Sequence, residues 1–212
     1  RIPERLQKTL MSAMGVSVLF VGVSGALSQM LRAGGRALTV QGTMMMILSL
    51  AIGAVLGELL DLEDRMERFG AWLKVKTKSE SDGGFIGAFV TASLTVCIGA
   101  MAIVGSIQDG ILGDHATLFA KAVLDLVIIM VMTASMGKGC IFSAIPVGIL
   151  QGSVTLLARL LQPVFTDAAL SNLSLVGSVL VFCVGLNLVW GKKIRVANLL
   201  PSLLIAVIWA FL

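Results

Sequence analysis

Several stretches of this chain run apolar for longer than the roughly 18 residues that a membrane-crossing helix needs. They are continuous and do not alternate, which excludes an outer-membrane β-barrel. In lipid a spanning segment must satisfy its own backbone hydrogen bonds, so runs of this kind can only be helices. Composition agrees: 57% of the 212 residues are hydrophobic and 13% are charged, against about 25% charged in soluble domains. The apolar runs predict spans at about 9–28, 42–61, 84–104, 116–136, 140–162, 174–190 and 196–212. The expected fold is therefore all-α, one polytopic integral membrane domain over residues 1–212 with about seven transmembrane helices. Trp72, Trp190 and Trp209 fall near segment ends, where amphipathic rings favour the membrane interface.

Charge sets the expected orientation. Of the 16 Lys and Arg, twelve lie in segments 1–8, 62–83, 137–139 and 191–195, as three, five, one and three. The alternate loops hold Arg32, Arg36 and Arg159. By the positive-inside rule the first group is cytoplasmic. The net charge of +4 is thus explained by topology and gives no reason to expect nucleic acid as a partner. Within 62–83, Leu62, Met66, Phe69 and Leu73 recur at helical spacing. That pattern predicts an amphipathic helix on the cytoplasmic leaflet, or one that docks a partner, followed by a polar loop.

Against this apolar background Lys121 and Asp125 stand out. They lie one helical turn apart in a spanning segment and share a face, so each can neutralise the other. A charge at the centre of a spanning helix costs roughly 2.5–3.5 kcal/mol on insertion scales, which marks such residues as candidates for function. Lys121 lies near the helix start and could reach the outer interface with its long stem; Asp125, deeper and shorter, could not. Directly upstream, residues 105–115 hold three Gly together with Gln108, Asp109 and His115. This segment reads either as an external loop or as a broken, re-entrant segment facing a watery cavity, the only place where irregular backbone is tolerated at membrane depth. Asn187, late in the sixth span, is a further candidate lining group, and Pro146 is expected to kink the fifth span.

Glycine patterning suggests close helix contacts. Gly53 and Gly57 form a GxxxG pair, a motif that lets backbones approach within one chain or across a homodimer. Gly177 and Gly185 are a second candidate packing pair. The stretch from Gly15 to Gly22 aligns with that from Gly177 to Gly185 at one gap, on helices of opposite sense, the pattern of an inverted internal repeat. Cys97, Cys140 and Cys183 lie in apolar segments without metal-ligand spacing and read as small core residues. No Walker A, HExxH or Ser/His/Asp pattern appears, so neither an enzyme nor a metal or organic cofactor is expected.

Taken together, these motifs resemble a family of bacterial membrane proteins classed as domain of unknown function 554, the YqgA/YdfK type. The resemblance covers the whole chain. It rests on Arg1-Ile-Pro-Glu-Arg5, on Gly53-Ala-Val-Leu-Gly-Glu58 with Asp61-Leu-Glu63, and on Gly105-Ser-Ile-Gln-Asp-Gly110 with Gly113-Asp114. It continues with Ala120-Lys-Ala-Val-Leu-Asp125, the run from Val176 to Asn187, and Val196-Ala-Asn-Leu-Leu-Pro201. It implies a multi-pass protein of the bacterial inner membrane. It also implies one more Gly-rich apolar helix before the Arg-Ile-Pro segment, an eighth span. The expected function is a secondary transporter or channel for a small solute or ion, with Asp125 and Lys121 at its site and Asp109, Gln108 and Asn187 as lining groups. A non-transporting scaffold or sensor acting through the helix within 62–83 is the alternative.

Overall fold

The chain is mostly helix, with one short β-ribbon that its hydropathy does not announce. A computed structural model describes residues 4–34, 37–76, 83–97, 102, 105–106, 109–110, 113–161, 166–191 and 193–212. Helix α1 (Glu4–Met30) leads into strands β1 (Leu31–Gly34) and β2 (Ala37–Val40), which pair antiparallel with Gly34 opposite Ala37. Helices α2 (Thr43–Leu60) and α3 (Leu62–Lys76) follow, joined at Asp61 in the left-handed conformation, which Asp tolerates. Next come α4 (Phe85–Cys97), α5 (Ala116–Met136), a 3₁₀ turn (Lys138–Ser143), α6 (Ala144–Leu156), the short α7 (Ala158–Leu161) and α8 (Asp167–Trp190). A second 3₁₀ turn (Val196–Leu199), α9 (Pro201–Ile208) and a final 3₁₀ turn (Trp209–Phe211) complete the chain.

Two antiparallel helix pairs make the frame, and each is built on glycine. Along α1 and α8, a methyl group added at Gly22 would lie 2.6 Å from the Phe182 backbone nitrogen, and one at Gly185 would lie 2.8 Å from that of Leu19. The contacts are reciprocal: each helix offers its glycine to the other helix's backbone. Gly15 against Val189 and Gly25 against Ser178 extend the same antiparallel register. Gly177 is buried within α8. In the second pair, Gly53 and Gly57 of α2 press on the backbone of Ser202 and Asn198. The GxxxG face is therefore filled by the chain's own C-terminal segment. Without a hydrophobic drive between helices in lipid, such approach is what holds a bundle together.

The polarity of the molecule is that of a membrane protein. Phe20, Met44, Leu59, Phe119, Ile149 and Leu204 are exposed, whereas Ser49, Ser93, Ser106 and Ser202 are buried. Large apolar side chains outside and small residues inside suit lipid, not water. Among the described residues, helical segments Thr43–Leu60, Lys138–Leu156 and Asp167–Trp190 are long and apolar enough to cross a bilayer, and Gly15–Met30, Phe85–Cys97 and Val196–Phe211 are shorter apolar helices.

The segment boundaries differ from expectation for definite reasons. Helix α1 begins at Glu4 and α8 at Asp167, since polar residues at a helix start do not prevent helix, although they end an apolar run. Helix α4 is described from Phe85 to Cys97, and most of 98–104 in the expected span lies outside the described residues. The expected helix 140–162 is a 3₁₀ turn, α6 and α7. Pro146 lies in the first turn of α6, just after the change from 3₁₀ to α geometry. On α3 the buried residues are Glu63, Gly70 and Leu73, while Phe69 and Trp72 stack on each other at 5.7 Å and stay exposed.

These contacts predict a contrast among glycines. Gly22→Ala and Gly57→Ala should lower the thermal midpoint of the purified protein sharply, because backbone lies where the methyl must go. Gly152→Ala, in α6 with open space around it, should be neutral or stabilising by up to about 1 kcal/mol through helix propensity. Thermal unfolding in detergent measures all three.

Candidate functional site

Lys121 and Asp125 meet against α4. The Lys121 Nζ donates to the Val96 carbonyl at 2.9 Å and is ion-paired with the Asp125 carboxylate one turn along α5. Val96 lies in α4, so one ammonium joins the two helices and neutralises a carboxylate. Lys121 is 6% exposed, so its stem runs inward to α4 and does not reach for an interface. Cys97, half-buried, lies within the electrostatic field of both charges.

Upstream of α5 the chain is not an open loop. Ala102, Gly105, Ser106, Asp109 and Gly110 have helical backbone, and Ala102, Gly105 and Ser106 are buried. A methyl at Gly110 would strike Thr155 and Ala158, so this stretch packs on the junction of α6 and α7. Asp109 pairs with His115, whose ring stands edge-on to Phe119 at 6.5 Å. Gly113 has φ +68°, and Asp114 accepts the Ala116 N–H at 3.0 Å, opening α5. The hydroxyls of Ser93, Ser106 and Thr133 are buried without a partner among the described residues.

Asn187 lies elsewhere. Its Oδ1 accepts the N–H groups of Lys193 and Ile194, both at 2.9 Å, and its Nδ2 donates to the Ile194 carbonyl at 2.7 Å. It thus closes the turn after α8. It also lines a cavity of about 230 Å³ with Glu63, Glu67, Thr91 and Met136. Met136 is eleven residues beyond Asp125 on α5, about 16 Å along a helix axis, so this cavity is at the opposite end of α5 from the charge pair. The structure brings Lys121 and Asp125 together, gives Asp109 a separate partner in His115, and leaves Asn187 apart. Gln108 is outside the described residues.

One polar cluster escaped the sequence reading. The Asn198 Oδ1 accepts the Glu63 N–H at 2.7 Å, its Nδ2 bonds to Glu58, and the Glu63 carboxylate accepts the Ala197 N–H at 3.0 Å. Arg195 pairs with Glu58 at 3.2 Å. This cluster ties the α2–α3 corner to the second 3₁₀ turn, and Glu63 is buried within it. Its signal was Asn198 shortly before Pro201 at the head of an apolar run, a helix-start pattern. Among the described residues no group of three or more His, Cys, Asp or Glu could hold a metal ion.

Apolar exterior, close glycine contacts and polar side chains closing helix ends together define an integral helical membrane protein. The chain belongs to the family described as Protein of unknown function (DUF554), which it matches over residues 1–211. It is 31% identical to the Uncharacterized membrane protein YdfK of Bacillus subtilis (strain 168), over 96% of this chain and 83% of that one. It is 28% identical to the Uncharacterized protein YqgA of Escherichia coli (strain K12), over 97% of this chain and 85% of that one. No solved structure matches it.

Breaking the pair from one side should cost more than removing it. Lys121→Met leaves the Asp125 carboxylate without its cation and should lose about 3 kcal/mol, while Lys121→Met with Asp125→Leu should regain much of that. Asn198→Ala, which strips the Glu63 N–H of its acceptor, should cost about 2 kcal/mol. Denaturant unfolding of the purified variants reads each difference.

Proposed function

We propose that this protein is a secondary transporter or channel for a small solute or ion, crossing the bacterial inner membrane seven times within this chain. The observation that carries the reading is the Lys121–Asp125 pair, set within an apolar helix and held against the Val96 carbonyl of α4. Paired ionisable groups within spanning helices are parts from which transporters build solute and ion sites. In this reading Asp125 is the working carboxylate and Lys121 its partner.

The reciprocal contacts of α1 and α8 support an inverted repeat. Gly22 meets Phe182 while Gly185 meets Leu19, and the two pairs exchange under the same sequence offset that aligns the segments. An axis between α1 and α8 in the membrane plane relates the two helices. The end that carries α3, the 137–143 turn and the 191–195 turn is cytoplasmic, as its Lys and Arg require. YdfK, by its name, is also a membrane protein.

A scaffold or sensor acting through α3 is the second reading, favoured by the exposed ladder of Phe69, Trp72 and Lys76, in which the Lys76 ammonium sits 4.8 Å over the Trp72 ring. Transport by reconstituted vesicles separates the two. A stabilisation screen over ions, amino acids and small organic acids supplies the substrate. Asp125→Asn, shown to be folded, should then lose at least tenfold in uptake. Undiminished uptake by that variant would remove Asp125 from the mechanism.

A further inference from the structure

The outward side of α2 borders a groove with apolar walls and a polar end. The groove holds about 370 Å³ and is lined by Ala54, Val55 and Leu199 together with Glu58, Arg195 and Asn198. Helix α2 is long and apolar enough to cross a bilayer, and Glu58 lies in its last turn. Ala54 is one turn further in, about 6 Å along the helix axis. Val55, Leu56 and Leu59 beside the groove are exposed, as lipid-facing residues are. In a bilayer that α2 spans, the groove therefore runs from the acyl region at Ala54 and Val55 to the headgroup level at Glu58 and Arg195. Its polar end carries two opposite charges with bonding capacity to spare. Arg195 donates from Nη1 to Glu58 at 3.2 Å, the one hydrogen bond of its side chain among the described residues. The other edge of a guanidinium is the fork that holds a phosphate bidentately. Glu58 accepts Arg195 on Oε1 and the Asn198 amide on Oε2, while a carboxylate has about four acceptor positions. Both side chains are exposed.

We propose that this groove binds one phospholipid whose headgroup carries a primary ammonium, a phosphatidylethanolamine. Its phosphate lies on Arg195, its ammonium on Glu58, and an acyl chain along Ala54, Val55 and Leu199. The headgroup joins ammonium to phosphate through two carbons, so its opposite charges fall on neighbouring groups, as those of Arg195 and Glu58 do. The polar end is neutral as a whole, so a free anion gains little there and leaves the apolar wall uncovered. A zwitterion with an acyl chain uses all three surfaces. Specificity follows from what each alternative lacks. A choline headgroup has no N–H to give Glu58, and a glycerol headgroup brings it no positive charge. The bound lipid ties α2 to the connection between α8 and α9, parts that the contact of Gly57 with Asn198 already presses together. The assignment is independent of the transport reading.

The test is thermal unfolding of delipidated protein in detergent with short-chain phosphatidylethanolamine, phosphatidylcholine or phosphatidylglycerol, or with sodium phosphate against NaCl at equal ionic strength. The ethanolamine lipid should raise the wild-type midpoint by several degrees, saturably, and at lower concentration than the other two lipids. Phosphate should do no more than NaCl. Arg195→Gln should need several-fold more ethanolamine lipid for the same rise. Glu58→Gln should respond alike to the ethanolamine and choline lipids, and Arg68→Gln on α3 should behave as wild type. Equal responses to the three lipids overturn the site, as does a stronger response to phosphatidylglycerol or stabilisation by phosphate alone. An ethanolamine preference that survives in both Arg195→Gln and Glu58→Gln also overturns it. Where those variants fail to fold, Ala54→Phe fills the groove from its apolar wall and leaves the polar cluster in place. Native mass spectrometry of wild type and Ala54→Phe, each mixed with equal amounts of the three lipids, then decides. Preferential retention of one ethanolamine lipid by wild type and its loss in Ala54→Phe supports the site. Equal retention by the two proteins overturns it.

Discussion

Lipid offers no hydrogen bond to a backbone group, so polar groups in a chain like this have to be satisfied from inside the protein. Three such sets of bonds organise the described residues. Lys121 reaches from α5 to the Val96 carbonyl of α4. Asn187 holds the turn that follows α8 by three bonds. Asn198 and Glu63 each bond the other's neighbourhood, joining the start of α3 to the second 3₁₀ turn. Two of the three link segments distant in sequence, so they place elements as well as satisfy them. The tight contact of Gly57 with Asn198 depends on this: the residue whose backbone meets the glycine is the one whose side chain anchors the α2–α3 corner.

Close approach then does in lipid what apolar burial does in water. Once Gly22 and Gly185 have admitted the backbones of Phe182 and Leu19, dispersion between α1 and α8 acts at its shortest range, and the larger apolar side chains are left to face outward. Buried serines fit the same logic, because a small side chain that can bond back to its own helix keeps the interface thin. Ser202 does so, donating to the Leu199 carbonyl at 2.6 Å.

Hydropathy carried the membrane class, the order of the apolar helices and the pairing of Lys121 with Asp125, since each depends on local spacing. What it could not carry depends on partners far along the chain. The Val96 carbonyl of α4 is met by a lysine 25 residues along the chain. Asn187 lines a cavity, as polarity within a span suggested, but its three bonds to the residues after α8 belong to the folded chain. The β-ribbon is two strands of four residues, too short for a periodic signal. The amphipathic pattern of α3 announced the helix, whereas the burial of Glu63, held by the Ala197 N–H, belongs to the folded chain.

The comparison of Asn187 with Lys121 argues that the charge pair is more than a clasp. Both side chains donate to a backbone carbonyl outside their own helix. Asn187 does so as a neutral amide, with both of its polar atoms used. A neutral donor would satisfy the Val96 carbonyl equally well and would need no counter-ion. The chain instead places an ammonium there and a carboxylate beside it, two groups that are each costly to bring into a bilayer. The attraction between them offsets part of that cost and rarely exceeds it. A purely structural bond would have no reason to be built this way when the same molecule shows the cheaper form. The charge is therefore what distinguishes this site, and it is the ground on which the proposal of transport stands.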